Sequence, residues 1–222
     1  MAIILKNSSA NYAYVNPKQF DIASICESLT IEDYACFNGF LPEDLLCLLY
    51  EEAVQFEKEQ LLQIAGVGRG EDYGMNLKIR RDKIKWFDSS GLAQIRLWKI
   101  LEDLRLKINQ NLMLGLFSVE SHYATYDKGD YYKLHLDSFV GRKNRVISMV
   151  IYLNKDWQEE DGGLLNIYKN INSNNPIATI MPIWGTVVLF LSEHVPHEVT
   201  VAKKKRYSIA SWFRCNGSNH LI

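Results

Sequence analysis

Between Leu116 and Arg214 the chain leaves helical spacing for a run of short β-rich segments divided by turn residues, and this switch most restricts the fold. Strands are expected near 117–126, 132–138, 145–153, 163–168, 177–181, 185–191, 197–202 and 206–214. Asp161-Gly162-Gly163, Asn174-Asn175-Pro176 and Lys203 to Lys205 supply turns. Helices first and then about eight strands point to an α+β chain. Its sheet half is expected to close into a jelly roll or barrel.

The first half carries the helices. Phe20, Ile22, Ile25 and Leu29 suggest a short opening helix, and the apolar stretch Ile31 to Phe40 a strand. Pro42-Glu43-Asp44 reads as a helix start, continued by Leu45, Leu48, Leu49 and Phe56 to about Ile64. Gly66, Gly68, Gly70 and Gly74 then predict a mobile loop. Gly66-Val67-Gly68-Arg69-Gly70 lacks the spacing of a dinucleotide fingerprint. A long helix is expected after Ser89-Ser90, either of which could cap it. Its apolar positions are Leu92, Ile95, Trp98, Leu101, Leu104, Ile108 and Leu112, and Trp98 and Phe117 read as core. With no internal repeat, residues 1–222 read as one domain: a helix-rich part (about 1–115) and a jelly-roll part (about 116–215).

Composition narrows the partners. Lys and Arg number 25 against 26 Asp and Glu, which gives no electrostatic case for nucleic acid or an anionic membrane. No run of about 18 apolar residues is available to span a bilayer. Cys26, Cys36, Cys47 and Cys215 form no C-x-x-C pair and lie away from the histidines, so they do not read as a zinc site. Unpaired thiols and an opening apolar run of four residues, too short for a leader, predict a reducing, cytoplasmic setting.

The chemistry concentrates on His135-Leu136-Asp137, the one H-x-D triplet among five histidines. On a strand, period two puts His135 and Asp137 on the same face, able to take adjacent positions on a metal. Alone, the triplet reads more readily as a surface histidine beside a solvated aspartate, and context must decide. Pro196-His197-Glu198-Val199 offers a third ligand. Two imidazoles and one carboxylate would leave other positions open, the arrangement of non-haem Fe(II) oxygenases. Nine positions after His197, Arg206 opens the run Tyr207 to Phe213. Alternation places Arg206, Ser208, Ala210 and Trp212 on one face and Tyr207, Ile209, Ser211 and Phe213 on the other. An Arg entering a barrel beside small residues has room for a carboxylate, which its fork suits. The lysines of the Lys203–Lys205 turn read as a solvated hairpin.

These residues carry a resemblance. His135-x-Asp137, His197 and Arg206 resemble the Fe(II)- and 2-oxoglutarate-dependent oxygenases. The stretches Ile79 to Trp86, Ala124-Thr125-Tyr126 with Gly129, Arg145 to Trp157, Gly162-Gly163 with Leu165, and Pro196 to Val199 resemble the prolyl 4-hydroxylases of the oxygen-sensing type and their bacterial relatives. The resemblance runs from about Phe37 to Arg214. It implies a double-stranded β-helix, or jelly roll, with the N-terminal helices packed outside it, and Fe(II) held by His135, Asp137 and His197; His194, three residues before His197, is the rival ligand. It also implies 2-oxoglutarate paired with Arg206 and lined by Tyr152 and Tyr126, Trp212 beside the metal, and ascorbate as an accessory. The implied partners are O2 and a protein with an exposed prolyl loop, elongation factor Tu in the bacterial relatives. The collagen-type branch places Lys where this chain has Arg206.

Asp82 and Arg145 match a loop-to-core contact of those enzymes, so an ion pair between them is expected to hold the segment 66–86 as a lid over substrate. Tyr132, Leu134, Arg145 and Trp86 are the candidates for the substrate rim. His122 and His220 read as structural or exposed. Two other readings compete: the same chemistry on a free amino acid or other small molecule, and a non-catalytic metal-binding jelly-roll sensor.

Overall fold

The computed structural model describes residues 14–66, 74–138 and 144–215. Its elements in chain order begin with strand β1 (Lys18–Gln19), helix α1 (Ile22–Glu32), β2 (Tyr34–Asn38), α2 (Glu43–Lys58), β3 (Gln63–Ile64), β4 (Lys83–Trp86) and α3 (Leu92–Leu112). There follow β5 (Ser118–Tyr126), β6 (Tyr132–His135), β7 (Arg145–Tyr152), β8 (Leu165–Ile167), β9 (Ala178–Ile180), β10 (Val187–Leu191), β11 (His197–Val199) and β12 (Arg206–Arg214). An eight-stranded sheet runs β1-β2-β10-β7-β12-β5-β4-β3, and a four-stranded sheet β6-β11-β8-β9 faces it. Apart from the parallel pair β1–β2 the ladders are antiparallel, as a jelly roll requires.

Strand alternation sorts the large sheet into two faces. Tyr207, Ile209 and Phe213 of β12, Ile147 and Ile151 of β7, and Val187 and Leu189 of β10 join one core with the helices. Tyr126, Tyr152, Val188 and Phe190 point the other way, into a second core shared with Leu165, Ile167 and Ile180 of the small sheet. The expected facing of β12 is therefore the observed one. Helix α3 seals the outer face with Leu97, Leu101, Leu104 and Ile108, each at most 1% exposed. Burial of side chains this size contributes about 1.5–3 kcal/mol apiece.

The helix ends follow local chemistry. Asp21 accepts from the Ser24 backbone N–H (2.8 Å) and starts α1, and Asp33, at φ 63°, ends it in the left-handed region. Helix α2 stops at Lys58, short of the expected Ile64, because Gln60 turns left-handed (φ 57°) and Gln63–Ile64 join the sheet edge. The cap of α3 is Gly91 rather than Ser89 or Ser90. Those serines sit in a loop that Asp88 and Gln94 fix through the backbone N–H groups of Ser90 and Ser89.

Three further expectations change. Trp98 and Phe117 are 49% and 66% exposed, not core, because α3 is apolar on two sides and docks by the 97/101/104/108 side. Within the expected loop and lid, residues 83–86 form a strand hydrogen-bonded to β5, while residues 67–73, with Gly68 and Gly70, lie outside the described residues. The lysine turn is tied down as well as solvated: Lys204 pairs with Asp161 at 2.6 Å, and Lys205 with Asp127 at 2.9 Å and with Glu57.

Candidate active site

Strand register brings the first two candidates together. His135 closes β6 and stands directly opposite His197, the first residue of β11. Each ring is fixed from behind. His135 Nδ1 donates to the Lys133 carbonyl (2.7 Å) and His197 Nδ1 to the Val195 carbonyl (3.0 Å), which leaves both Nε2 lone pairs facing inward. Tyr132 stacks on His135 with centroids 3.6 Å apart, and Phe190 packs on His197 at 4.5 Å.

Asp137 lies beyond the end of β6, not on the expected strand 132–138. The chain there crosses toward the large sheet, where Ser138 N–H donates to the Ser192 carbonyl. Asp137 nevertheless points between the two imidazoles: its Oδ1 lies 3.5 Å from His135 Nε2 and 3.9 Å from His197 Nε2. One ligand atom from each of the three residues falls within 4.8 Å of the others, so the group could hold a metal ion. Two imidazoles and a carboxylate suit Fe(II) and leave further positions open. Burial opposes ionisation of Asp137, yet His197, His135 and Arg145 together hold its carboxyl well below the usual range. Burial, with help from the neighbouring His135, pushes His197 down to about 4 against the opposing pull of Asp137. At neutral pH that imidazole is therefore the free base a metal needs. His194 is 59% exposed at the surface, 3.4 Å from Asp33.

A cavity of about 790 Å³ runs from the three ligands to the surface. Arg206, Ser208, Ala210 and Trp212 line it, the face of β12 that alternation selects. Arg206 is 1% exposed. Its Nε donates to the Gly163 carbonyl (2.9 Å) and its Nη1 to Ser208 Oγ (3.1 Å), between the rings of Tyr126 (4.8 Å) and Tyr152 (5.0 Å). Gly163 makes this possible: at φ +62° a Cβ would stand 2.9 Å from Arg206 Cδ. Among the described residues no carboxylate pairs with this guanidinium, and the buried Tyr152 hydroxyl has no partner. A buried cation and a buried donor left open together fit an incoming carboxylate.

On the substrate side, Tyr132, Leu134 and Arg145 line the cavity. Trp86, 45% exposed, packs edge-on to His122 and 6.0 Å from Trp212. Trp212 Nε1 donates to Asp137 Oδ2 (3.0 Å), and the Arg145 guanidinium lies 3.6 Å over its ring. The expected Asp82–Arg145 pair is not formed. Arg80, on the same edge, takes both Asp82 oxygens at 2.6 and 2.8 Å, while Arg145 reaches Glu120 at 2.6 Å. Arg80 then lies over Tyr132, which is stacked on His135. Sequence reasoning passed over Ser148 and reads His122 only as structural or exposed, where the structure makes it a buried ring that lines the cavity. Both stand on the inward parity of their strands, which was the available signal.

Comparison with known proteins bears on the fold and the family. The profile of the 2OG-Fe(II) oxygenase superfamily matches residues 121–214. A crystal structure of a Pseudomonas putida prolyl-4-hydroxylase superposes with a TM-score of 0.78 at 36% identity, over 87% of this chain and 98% of that one. A Trichoplax adhaerens prolyl hydroxylase, solved with a peptide fragment of the hypoxia-inducible factor oxygen degradation domain, superposes with a TM-score of 0.76 at 25% identity, over 87% and 88% of the two chains. Human Egl nine homolog 1 is 32% identical over 145 residues, 61% of this chain and 33% of that protein. The chain spans about a fifth to two fifths of the length of the curated relatives it matches. A match over the strands that build the cavity, and a likeness that runs through nearly all of a solved relative, place this chain in the 2OG-Fe(II) oxygenase superfamily, whose members use Fe(II) and 2-oxoglutarate.

Proposed function

We propose that the protein is a prolyl 4-hydroxylase that acts on a prolyl residue in an exposed loop of a protein, with elongation factor Tu as the first candidate. The observation that carries the reading is the pairing, in one cavity, of an open three-ligand face with a buried, unbalanced Arg206. His135, Asp137 and His197 would hold Fe(II). Arg206, Ser208 and the Tyr152 hydroxyl would hold the distal carboxylate of 2-oxoglutarate. Bound iron and cosubstrate supply an oxidation by O2 in which 2-oxoglutarate becomes succinate and CO2 and one oxygen atom enters a substrate C–H bond.

The chain's own residues orient and shield that chemistry. The carbonyls of Lys133 and Val195 fix the imidazole tautomers. Phe190 and Val199, both buried, line the cavity and exclude water from around the ligands. The room beyond the three ligands far exceeds a five-carbon diacid, and half-exposed Ile171 borders it, which supports a peptide substrate over a free amino acid. The Trichoplax relative was solved with a peptide, which supports the same class. The buried Cys26 and Cys36 thiols, both raised by burial, fit a reducing, cytoplasmic setting, and among the described residues no helix is long and apolar enough to cross a membrane.

The test is anaerobic binding of Fe(II) and 2-oxoglutarate, followed by succinate release on admission of O2, with ascorbate, with and without elongation factor Tu. Succinate stimulated by that protein, with one added oxygen mapped to C4 of a proline, is the expected result. Turnover unaffected by any protein but stimulated by a free amino acid would replace the substrate class. Absence of iron and cosubstrate binding would overturn the reading.

A further inference from the structure

Asp137 differs from the two histidines in how it is held. Its Oδ1 faces the imidazoles, while its Oδ2 faces away and accepts two hydrogen bonds, from Ser148 Oγ at 2.6 Å and from Trp212 Nε1 at 3.0 Å. A carboxylate oxygen offers two in-plane lone pairs, so both on Oδ2 are used and only Oδ1 remains for a metal. Ser148 has one hydroxyl hydrogen, and an ionised carboxylate can only accept. The 2.8 Å contact between Ser148 Oγ and Ser192 Oγ must therefore run from Ser192 to Ser148. Ser192 is fully buried and anchored through its backbone: its N–H donates to the Val146 carbonyl and its carbonyl accepts from Ser138 N–H. The direction of the chain is thus Ser192 hydroxyl to Ser148 hydroxyl to Asp137 Oδ2, with each bond polarising the next.

We propose that Ser148, backed by Ser192, is a positioning residue that keeps Asp137 a one-oxygen ligand. This rests on the three-residue iron site proposed above. A carboxylate free to swing its second oxygen inward would occupy one of the positions that the family's chemistry needs open. With Oδ2 tied to β7 by Ser148 and to β12 by Trp212, that swing is blocked, and the basicity of Oδ1 is set by two donors rather than by solvent. Trp212 alone does not suffice, since with Ser148 removed one Oδ2 lone pair is released.

Co(II) serves as the probe, because it binds to such a site without turnover and its visible absorption reports coordination. Co(II) is titrated into the metal-free wild type, Ser148→Ala, Ser148→Thr, Ser192→Ala and His197→Ala proteins, with the thermal midpoint of each measured alongside. The expected pattern is a loss of about 10- to 100-fold in affinity and a changed visible band for Ser148→Ala. Ser148→Thr, which keeps the hydroxyl, should restore both, and Ser192→Ala should show a smaller loss of the same kind. Wild-type affinity and an unmoved band in Ser148→Ala would overturn the proposal. If Ser148→Ala does not fold, the same wild-type values in Ser192→Ala would do so. Failure of the wild type to bind Co(II), or full binding by His197→Ala, would instead sink the underlying three-residue site.

Discussion

Arg206 is the place where the demands of folding and of binding separate most clearly. It lies 1% exposed with no carboxylate partner among the described residues, so the ligand-free protein carries an uncompensated buried cation. Replacing it by Met removes two hydrogen bonds from a charged donor, worth about 1.5–3 kcal/mol each. The same change relieves a desolvation cost of several kcal/mol and fills the site with an apolar side chain of similar length. The two effects are of equal size, so Arg206→Met should leave ligand-free stability within about 2 kcal/mol of the wild type. The bound state should differ sharply. At 100 times its Kd, a ligand of the native state adds about 2.7 kcal/mol. In a chain of 222 residues that is a rise of about 5–11 °C in Tm. Thermal melts with Mn(II) in place of iron, with and without 2-oxoglutarate, separate the cases. Mn(II) should raise the midpoint of both proteins, and 2-oxoglutarate should raise only that of the wild type. A full 2-oxoglutarate shift in Arg206→Met would refute the role of Arg206. A ligand-free loss above about 4 kcal/mol would refute the premise that its charge is unbalanced.

Two other perturbations address the surroundings of the site. Burial, together with Arg80 and Arg145, outweighs Asp82 and pushes His122 down to about 3. Because the folded state resists protonation and the unfolded state does not, this imidazole supports stability above its unfolded pKa of about 6.5 and withdraws it as pH falls toward 3. Between pH 7 and pH 5 the loss from His122 amounts to about 2 kcal/mol, which His122→Gln should abolish in urea titrations of the metal-free protein; an unchanged pH dependence would show that the ring is charged in the fold. Asp82→Asn leaves Arg80 beneath the site without its buried partner and should cost about 3–5 kcal/mol, on the order of 10 °C in Tm, with a weakened apparent affinity for the peptide substrate. A midpoint within 2 °C of the wild type would mean that Arg80 finds another anion.

What the sequence shows of this site depends on whether the information is local. The two faces of β12 are legible because parity along one strand needs nothing else, and Arg206 through Trp212 line the cavity as alternation requires. His135 and His197 are readable as types but not as neighbours. Their meeting depends on the β6–β11 register, which a separation of 62 positions does not reveal. Partner choice failed for the same reason. Asp82 was assigned to Arg145, but the fold places Arg80 two residues away on the same edge and gives Arg145 to Glu120 on β5. Strand β4 was hidden because Lys83-Ile84-Lys85-Trp86 is too charged to look like a strand, and it persists because nine-residue β5 offers it a ladder. Helix α3 was identified, but Leu92, Ile95 and Trp98 compete with Leu97, Leu101 and Leu104 for the core, and only the docked sheet decides between them.

One regularity of the large sheet bears on how such a protein can diversify. In β2, β5, β7, β10 and β12 most residues facing the barrel carry even numbers, Cys36, Tyr126, Tyr152, Val188, Phe190 and Arg206 among them, with Arg145, beside the register shift at the start of β7, the clearest exception. The residues packed on the helices carry odd ones: Phe37, Tyr123, Ile151, Leu189 and Ile209. Neighbouring codons thus answer to different selections, one set to staying folded and the other to which substrate fits. Point substitutions can explore new substrates on one set while the other stays fixed. A single-residue insertion inside β12 would exchange the two sets beyond it and damage both at once. Lineages built on this sheet should therefore vary by replacement within strands and by length only in the loops between them.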